Sequence, residues 1–275
     1  MAREQQQPPH PQEQASEDSL GESATSRLEL VWGAPGLARL AASTVMVLDC
    51  GGVGSNCIEA LARGGVGHLI LVDGDVVASS NINRQAIAFP ATVGRRKVEV
   101  MAEMIRAINP AAEIATFDRF VCAEDAEPLF SEALRAAGGR IDFVVDAIDT
   151  VSTKLAIAER AQRTAMPLVA SMGGANKLDP EKLRICDIYE TTHDPLARTL
   201  ARIMRKECHK RGIRRLTVLS SFEEPRALPV TGGGDAVQNT SRPSARPTLG
   251  TASYLPPIMG QMIAGHVIRT LVQDV

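Results

Sequence analysis

Short apolar runs alternate with helix-period segments along this chain. Residues 45–48 (VMVL), 68–72 (HLILV), 114–120 and 141–146 have the length and apolar character of strands, and the first two read as buried on both faces of a sheet. A helix pattern at residues 55–63 follows the first run, and a second helix, opened by Lys97, ends before Asn109 and Pro110. This alternation predicts an α/β fold with a Rossmann-like, doubly wound and mostly parallel sheet, followed by a C-terminal α/β extension.

A glycine turn follows the first predicted strand directly. Gly51, Gly52 and Gly54 permit a tight turn and a close backbone approach to a ligand, and the next helix would direct its N-terminal N–H groups at that ligand. The second strand ends at Asp73, 19 residues after Gly54, which is near the spacing of a ribose-binding carboxylate. These features predict a nucleotide site, although a glycine turn alone also occurs where a helix simply packs on a sheet.

Charged and amide side chains after the second strand narrow the choice of nucleotide. Asp75, Asn81, Arg84 and Lys97 follow it closely in sequence. A triphosphate under attack needs cationic side chains on its oxygens and usually a metal held by carboxylate, whereas a nicotinamide needs backbone donors and a flat pocket. The cluster therefore favours ATP, with a nicotinamide oxidoreductase as an alternative.

Several longer motifs carry a family resemblance. NINRQ, VGRRKVEVMAEMIRAINP, DAIDT at residues 146–150, THDPLAR at 192–198 and LGTASYLPPIMG near the C-terminus are the segments concerned. Through them and the glycine turn, the chain resembles the ubiquitin-activating-enzyme-like adenylating proteins, and among these the tRNA threonylcarbamoyladenosine dehydratases. The likeness runs over about residues 31–271.

The resemblance implies an activity and a set of site residues. ATP with Mg²⁺ would activate the carboxylate of the threonylcarbamoyl group on a tRNA adenosine, and ring closure with loss of water would follow. Asp73 would bind the ribose, Arg84 and Lys97 the phosphates, and Asp149 would lie near the metal and the transferred group. The whole implied site is Gly51, Gly52, Gly54, Asp73, Asp75, Asn81, Arg84, Lys97 and Asp149. A homodimer is also implied.

Polar residues after the later strands leave two choices open. Asp146 ends a predicted strand and is interpreted as a cap of the following turn, so the family pattern assigns the chemistry to Asp149. Asn176 and Lys177 either contact the substrate or belong to a simple glycine turn.

Two positions depart from the family pattern. Asp49 replaces the opening glycine of the turn, and only Arg27 remains where relatives carry an Arg-Phe-x-Arg segment. If the Asp49 carboxylate points into the pocket, it repels a triphosphate; if it points away or helps to hold a cation, the site survives. A homologue that binds without catalysing therefore remains an alternative.

The cysteines bear on a further alternative, an enzyme that adenylates the C-terminus of a ubiquitin-like or sulfur-carrier protein. Such enzymes often contain paired zinc cysteines, but this sequence has no C-x-x-C pair, so we expect no zinc and a reducing compartment. Cys208 lies among basic residues of the kind that lower a thiol pKa, and we interpret it as an incidental cysteine. Cys50 and Cys57 are expected to pack.

Composition and charge limit the mode of tRNA contact. The formal net charge is −2 and the hydrophobic content is 44%, which suits a cytoplasmic enzyme with a sizeable core and excludes a wholly basic nucleic-acid binder. Residues 198–215 hold eight Lys and Arg side chains, and this local patch is the predicted tRNA contact. A solvated basic helix face is the commoner meaning of such a run.

The chain is predicted to contain one ATP-binding domain. Residues 1–26 are polar and rich in glutamine and proline, which predicts a disordered tail, and residues 27–275 form the domain. Residues 231–247 are predicted to be a flexible loop. The apolar segment 258–271 is too short to span a bilayer, so we expect a core helix and no membrane contact.

Overall fold

The computed structural model describes residues 23–191, 200–223 and 250–273. Within these residues, seven strands form one sheet in the order β3-β2-β1-β4-β5-β7-β6, and every neighbouring pair is parallel except β6 with β7. The predicted mostly parallel α/β sheet is confirmed. The strands are β1 (Thr44–Leu48), β2 (His68–Val72), β3 (Glu113–Phe117), β4 (Phe143–Asp146), β5 (Leu168–Ser171), β6 (Leu183–Asp187) and β7 (Thr217–Ser221).

Helices cover both faces of this sheet, and the side chains of the inner strand β1 alternate between two apolar cores. Val45 and Val47 belong to one core with α1, α2, α3 and α7, whereas Met46 and Leu48 belong to the other with α4, α5 and α6. The helices are α1 (Ser26–Ala41), α2 (Gly54–Arg63), α3 (Lys97–Ile108), α4 (Ala126–Ala136), α5 (Val151–Thr164), α6 (Leu200–Lys210) and α7 (Leu255–Val272).

Element boundaries follow the predictions with local differences. Lys97 opens α3 as predicted, but β3 stops at Phe117 and does not reach residue 120. The reason is that the chain turns over Gly74, where a Cβ atom would lie 2.5 Å from the Phe120 nitrogen. Ser26, placed in the predicted tail, is the first residue of α1. Residues 1–22 and the predicted loop 231–247 lie outside the described residues.

The predicted core helix is α7, whose apolar side chains are buried beside α2. Among the described helices, none has the length and apolar content needed to cross a membrane. At Gly260 of α7, a Cβ atom would lie 2.5 Å from the Val53 carbonyl oxygen and 2.8 Å from the Cys57 nitrogen. The two helices thus approach backbone to backbone, and α7 supports the start of α2, where the glycine turn ends.

The carboxyl ends of β1, β2 and β4 meet at one edge of the sheet. The order reverses between β1 and β4, since the chain proceeds from β1 outward to β3 on one side and from β4 outward on the other. In open parallel sheets, ligands bind at this switch point. The glycine turn after β1 and the turn after β4 both lie there.

We expect Gly260→Ala to destabilise the fold by about 1–3 kcal/mol, because the added methyl group meets backbone that cannot move aside. Gly265→Ala, on the same helix, is the matched control: the nearest atom to its added methyl group is the end of the flexible Arg269 side chain, and alanine favours a helix by up to about 1 kcal/mol. Chemical denaturation of both variants measures the difference. Equal stability of the two variants would contradict the close approach of α7 to α2.

Candidate functional site

The Asp73 carboxylate joins the end of β2 to the glycine turn. It is 6% exposed; its Oδ2 accepts a hydrogen bond from the Cys50 N–H at 2.7 Å, and its Oδ1 accepts one from the Asp75 N–H at 2.7 Å. The Lys97 ammonium lies 3.5 Å from Oδ2. The Asp73 side chain therefore fixes the glycine turn and the loop after β2. It also contacts Lys97, the lysine predicted to bind phosphate.

Lys97 is a buried cation among carboxylates. Its Nζ lies 3.0 Å from Asp75 Oδ2, and the residue is 4% exposed. Burial by itself would lower the pKa of Lys97, but the charges of Asp73, Asp49 and Asp75 outweigh burial and raise it. The side chain is therefore positively charged, and it lies between acidic groups at the carboxyl edge of the sheet.

Asp49, predicted to depart from the family pattern, has a φ of 80°, in the region that glycine adopts most readily. Its side chain folds back, so that Oδ2 accepts a hydrogen bond from the Gly51 N–H at 2.8 Å. Burial and the neighbouring Asp73 charge raise the pKa of Asp49 to about 7. Asp49 is also one of the residues that line the cleft described below. A Cβ atom at Gly54 would overlap the Asp49 carbonyl oxygen, which explains the glycine there.

Arg84 lies against the glycine turn. A Cβ atom at Gly52 would be 3.2 Å from its Cγ and Cδ, so the aliphatic stem covers the turn. The guanidinium donates hydrogen bonds to the Ser80 carbonyl at 3.0 Å and to Asn83 Oδ1 at 2.9 Å. Asn56 of α2 donates to both the Gly52 and Arg84 carbonyls, at 2.7 and 3.0 Å. Sequence reasoning missed this link, whose signal was a polar residue in the first turn of α2.

Asn81 has a structural contact in this arrangement. Its Oδ1 accepts a hydrogen bond from the Ala78 N–H at 2.9 Å and closes the short 3₁₀ turn Ser79–Asn81. This contact orders the loop that carries Arg84. A place for Asn81 in the nucleotide pocket stays a prediction.

A cleft of about 540 Å³ opens beside these residues, at the carboxyl ends of β1, β2 and β4. Asp49, Asp73, Asp75 and Asp149 line it, together with the segment that follows β3. That segment contributes Phe120, which is 69% exposed. Sequence reasoning missed this wall, because the predicted strand ran through it.

The segment after β3 also contributes Arg119 to the cleft. Its guanidinium pairs with Glu132 at 2.9 Å and lies 5.5 Å from the centre of the Phe117 ring. The Arg119–Phe120 pair directly after a buried strand is the sequence signal that could have indicated a ligand wall.

Asp149 and Asp146 differ in exposure: Asp149 is exposed and Asp146 is buried. Asp149 is exposed in the cleft, and its Oδ1 accepts a hydrogen bond from the Thr150 hydroxyl at 3.1 Å. Asp146 is fully buried, and its Oδ1 accepts a hydrogen bond from the Ile148 N–H at 3.0 Å, which confirms the predicted turn cap. Asp146 also pairs with Lys154, a contact that the sequence reasoning missed.

Other residues singled out from the sequence lie away from the cleft. Lys177 is buried and donates to the Glu223 carbonyl, so the structure favours its role in the fold over substrate contact. Cys208 is fully buried, and burial raises its pKa to about 11, so the expectation of surroundings that lower the thiol pKa was wrong. Arg27 lies in the first turn of α1. The motif at residues 192–198 lies outside the described residues.

The predicted residues therefore converge on one edge of the sheet. Asp73, Asp75 and Lys97 are in direct contact, and Asp149 lies on the same cleft. In the described part of the chain, no group of three or more His, Cys, Asp and Glu side chains is arranged to hold a metal ion. The site combines a buried cation, backbone donors and exposed carboxylate, as a polyphosphate site requires.

A model of the ThiF family matches residues 24–274. The chain belongs to the ThiF family. The tRNA threonylcarbamoyladenosine dehydratase of Bacillus subtilis is 37% identical over 256 residues, which cover 91% of this chain and 95% of that protein. The family predicted from the sequence motifs is confirmed.

The solved structures that resemble this chain include complexes with nucleotides. The E. coli tRNA N6-threonylcarbamoyladenosine dehydratase TcdA in complex with AMP superposes with a TM-score of 0.74 at 28% identity, covering 90% of this chain and 92% of TcdA. The same enzyme in complex with ATP matches equally well, with a TM-score of 0.74. E. coli MccB, at 16% identity and a TM-score of 0.61, shares the fold.

We expect Asp49 to make ATP affinity depend on pH. Since its folded-state pKa is raised to about 7, the carboxyl is neutral below that pH and becomes an added negative charge beside the phosphates above it. The ratio of the ATP dissociation constant of the natural chain to that of Asp49→Asn should rise at least about tenfold (~1.4 kcal/mol) between pH 6 and pH 8.5. Calorimetry at both pH values measures this ratio. Protonation of ATP affects both proteins equally, so it does not change the ratio.

Glu124→Gln serves as the control for the Asp49 experiment, because it removes an exposed carboxylate outside the cleft lining. This variant should follow the natural chain at both pH values. A ratio for Asp49→Asn that does not change with pH would show that the Asp49 charge does not reach the nucleotide.

Proposed function

We propose that this chain is an ATP-dependent tRNA threonylcarbamoyladenosine dehydratase that activates the carboxylate of its substrate by adenylation. The observation that carries the proposal is the buried Lys97 ammonium between Asp73 and Asp75 at the switch point of the sheet. It occurs in a chain 37% identical to a named dehydratase over 95% of that enzyme's length. The site chemistry and the relationship therefore point to the same reaction.

The cleft accommodates the nucleoside of ATP. Asp73 already accepts two backbone hydrogen bonds, but a carboxylate has about four acceptor positions, so it retains capacity for the ribose hydroxyls. The exposed Phe120 ring provides an apolar surface on the cleft wall for the flat face of adenine. With the nucleoside in the cleft, the phosphates of ATP would extend toward the glycine turn.

Three kinds of donor meet the phosphates there. The start of α2 presents backbone N–H groups, Lys97 exchanges Asp75 for a phosphate oxygen, and Arg84 lies over Gly52 within reach of the same turn. The charge that develops on the phosphate oxygens is stabilised by groups that the fold has already positioned.

Asp149 is the residue that would hold Mg²⁺. Mg²⁺ in nucleotide sites is bound by one or two carboxylates together with substrate phosphates, so one exposed carboxylate on the cleft fits this requirement. When bound, the metal neutralises phosphate charge and orients the leaving group.

The reaction then proceeds in two transfers. A carboxylate oxygen of the threonylcarbamoyl group attacks the α-phosphorus, the bond to the β-phosphate bridge oxygen breaks, and pyrophosphate leaves. An internal nucleophile of the same group attacks the activated carbonyl, closes the ring and expels AMP. The net change in the tRNA is loss of one water. Lys97 and Arg84 stabilise the negative charge in the first transfer, while Asp149 positions the phosphates.

A basic surface on and after α6 is the proposed tRNA contact. Arg202 and Lys206 are exposed one helical turn apart, Arg214 is exposed just beyond the helix, and none of the three forms an ion pair within the described residues. We call these three residues the α6 basic stripe. Among the other described cations of the predicted patch, Lys210 pairs with Glu207 at 2.7 Å and Arg211 with Glu159 at 3.1 Å. Phosphate contact therefore falls to the stripe.

The assembly and location of the protein remain predictions. The family resemblance implies a homodimer, and the exposed apolar side chains Leu30 and Val31 of α1, 81% and 67% exposed, offer a surface for one. A cytoplasmic location agrees with the tRNA substrate.

We expect Asp149→Ala to reduce the ATP-dependent dehydration of tRNA at least about a hundredfold, because the phosphates lose their metal-linked positioning. Mass spectrometry of nucleosides from treated tRNA measures the product, and the melting temperature checks the fold. Glu124→Ala should keep full activity. Unchanged turnover in Asp149→Ala would remove that residue from the mechanism. Pyrophosphate exchange stimulated by a small carrier protein, and not by tRNA, would instead favour the carrier-activating alternative.

The triple variant Arg202→Ala/Lys206→Ala/Arg214→Ala should weaken tRNA binding about tenfold or more at low salt, because three phosphate contacts are lost. ATP affinity should not change. The control is Arg106→Ala/Arg135→Ala, which removes two exposed cations from α3 and α4. Filter binding of tRNA over a salt series measures both variants, and an equal loss for each charge removed would show that only the average charge matters.

A further inference from the structure

A completely buried ion pair joins the residues on either side of Asp149 in the chain. Asp146, the last residue of β4, and Lys154, in the first turn of α5, are both 0% exposed, with Lys154 Nζ 3.0 Å from Asp146 Oδ1. The same ammonium donates a hydrogen bond to the Asp146 carbonyl at 3.2 Å. None of the steps proposed above uses either group.

Stability alone does not explain this pair. Removing two charges from water is costly, and well-packed apolar residues of similar volume are often at least as stable in such places. Burial raises the pKa of Asp146, and Lys154 opposes that rise. The second carboxylate oxygen, Oδ2, is buried without a hydrogen-bond partner among the described residues. What the pair provides is geometry, because its hydrogen bonds have fixed directions.

That geometry closes the turn between β4 and α5. Asp146 Oδ1 holds the Ile148 N–H at 3.0 Å as well as the Lys154 ammonium, while the Ala147 N–H donates to the Leu48 carbonyl of β1 at 3.0 Å. At the other end, the Lys154 N–H donates to the Thr150 carbonyl at 3.1 Å. Contacts are thus fixed on both sides of Asp149, whose own side chain faces the cleft.

We propose that Lys154 is a positioning residue that, through Asp146, holds the turn so that the Asp149 carboxylate meets the metal–nucleotide complex. The inference rests on the proposed function, because it assigns Asp149 to Mg²⁺–ATP. A site of this kind tolerates displacements of only about 0.5 Å, so the support behind the exposed carboxylate determines whether it binds. Lys154 itself contacts neither nucleotide nor substrate.

The test is calorimetric ATP binding by Asp146→Asn/Lys154→Met, which removes both charges together while keeping size and an acceptor for Ile148. Binding is measured with EDTA and with Mg²⁺. In EDTA the variant should match the natural chain within about twofold, but the gain in affinity on adding Mg²⁺ should shrink about tenfold, as in Asp149→Asn. If the variant were only destabilised, calorimetry would show fewer ATP-binding sites per protein, but Mg²⁺ would raise the ATP affinity as much as in the natural chain. Asp146→Asn/Lys154→Gln is the second variant if the first does not fold.

A double-mutant cycle with Asp149→Asn then shows whether the Asp146–Lys154 pair acts through Asp149. Adding Asp149→Asn to the double variant should cause no further loss, because a residue that acts only through another shows non-additive effects. Additive losses, an unchanged gain from Mg²⁺, or unfolding of both double variants would overturn the inference. A natural chain that binds ATP but gains nothing from Mg²⁺ would overturn it together with the assignment of Asp149, whereas a chain that does not bind ATP would overturn the proposed function itself.

Discussion

The Asp73 carboxylate is the contact on which the rest of the site depends. It is fixed by the Cys50 and Asp75 N–H groups, both at 2.7 Å, and so joins the glycine turn after β1 to the end of β2. It also helps to keep Lys97 charged inside the protein. If Asp73 moved, the turn would lose its anchor and the ammonium would lose a counter-charge, so the local order of this edge and the charge of Lys97 both rest on one side chain.

Charge balance limits what this site can bind. Asp49, Asp73 and Asp75 surround one buried ammonium, so the edge is acidic before any nucleotide arrives. A polyphosphate is favoured only if Asp75 releases Lys97 and the Asp49 carboxyl is neutral or its charge is offset. The folded-back Asp49 carboxylate also accepts the Gly51 N–H at 2.8 Å, so this backbone donor is already occupied. A metal cation bound together with ATP would offset the same excess of negative charge.

Short sequence patterns predicted the elements whose formation depends on neighbouring residues in the chain. The apolar runs located β1, β2 and β4, and Lys97 was identified as the start of α3, because strand burial and helix period are visible in a few adjacent residues. Features produced by packing could not be read this way. Residues 118–120 leave the sheet because Gly74 lies beneath them, and the rotamer of Asp49 depends on Gly51 and on burial by distant segments. The same holds for the Lys154–Asp146 pair, whose partners lie on different elements.

The central claim is that the chain uses ATP to remove water from a tRNA-bound threonylcarbamoyladenosine. The most direct measurement is incubation of purified protein with ATP, Mg²⁺ and tRNA carrying that nucleoside, followed by nucleoside mass spectrometry and quantification of AMP. We expect conversion to a product lighter by one water, one AMP formed per conversion, and loss of both in a Lys97→Met variant. Unchanged nucleoside in the presence of demonstrated ATP binding would contradict the claim and leave a ThiF-family protein that binds the nucleotide without this chemistry.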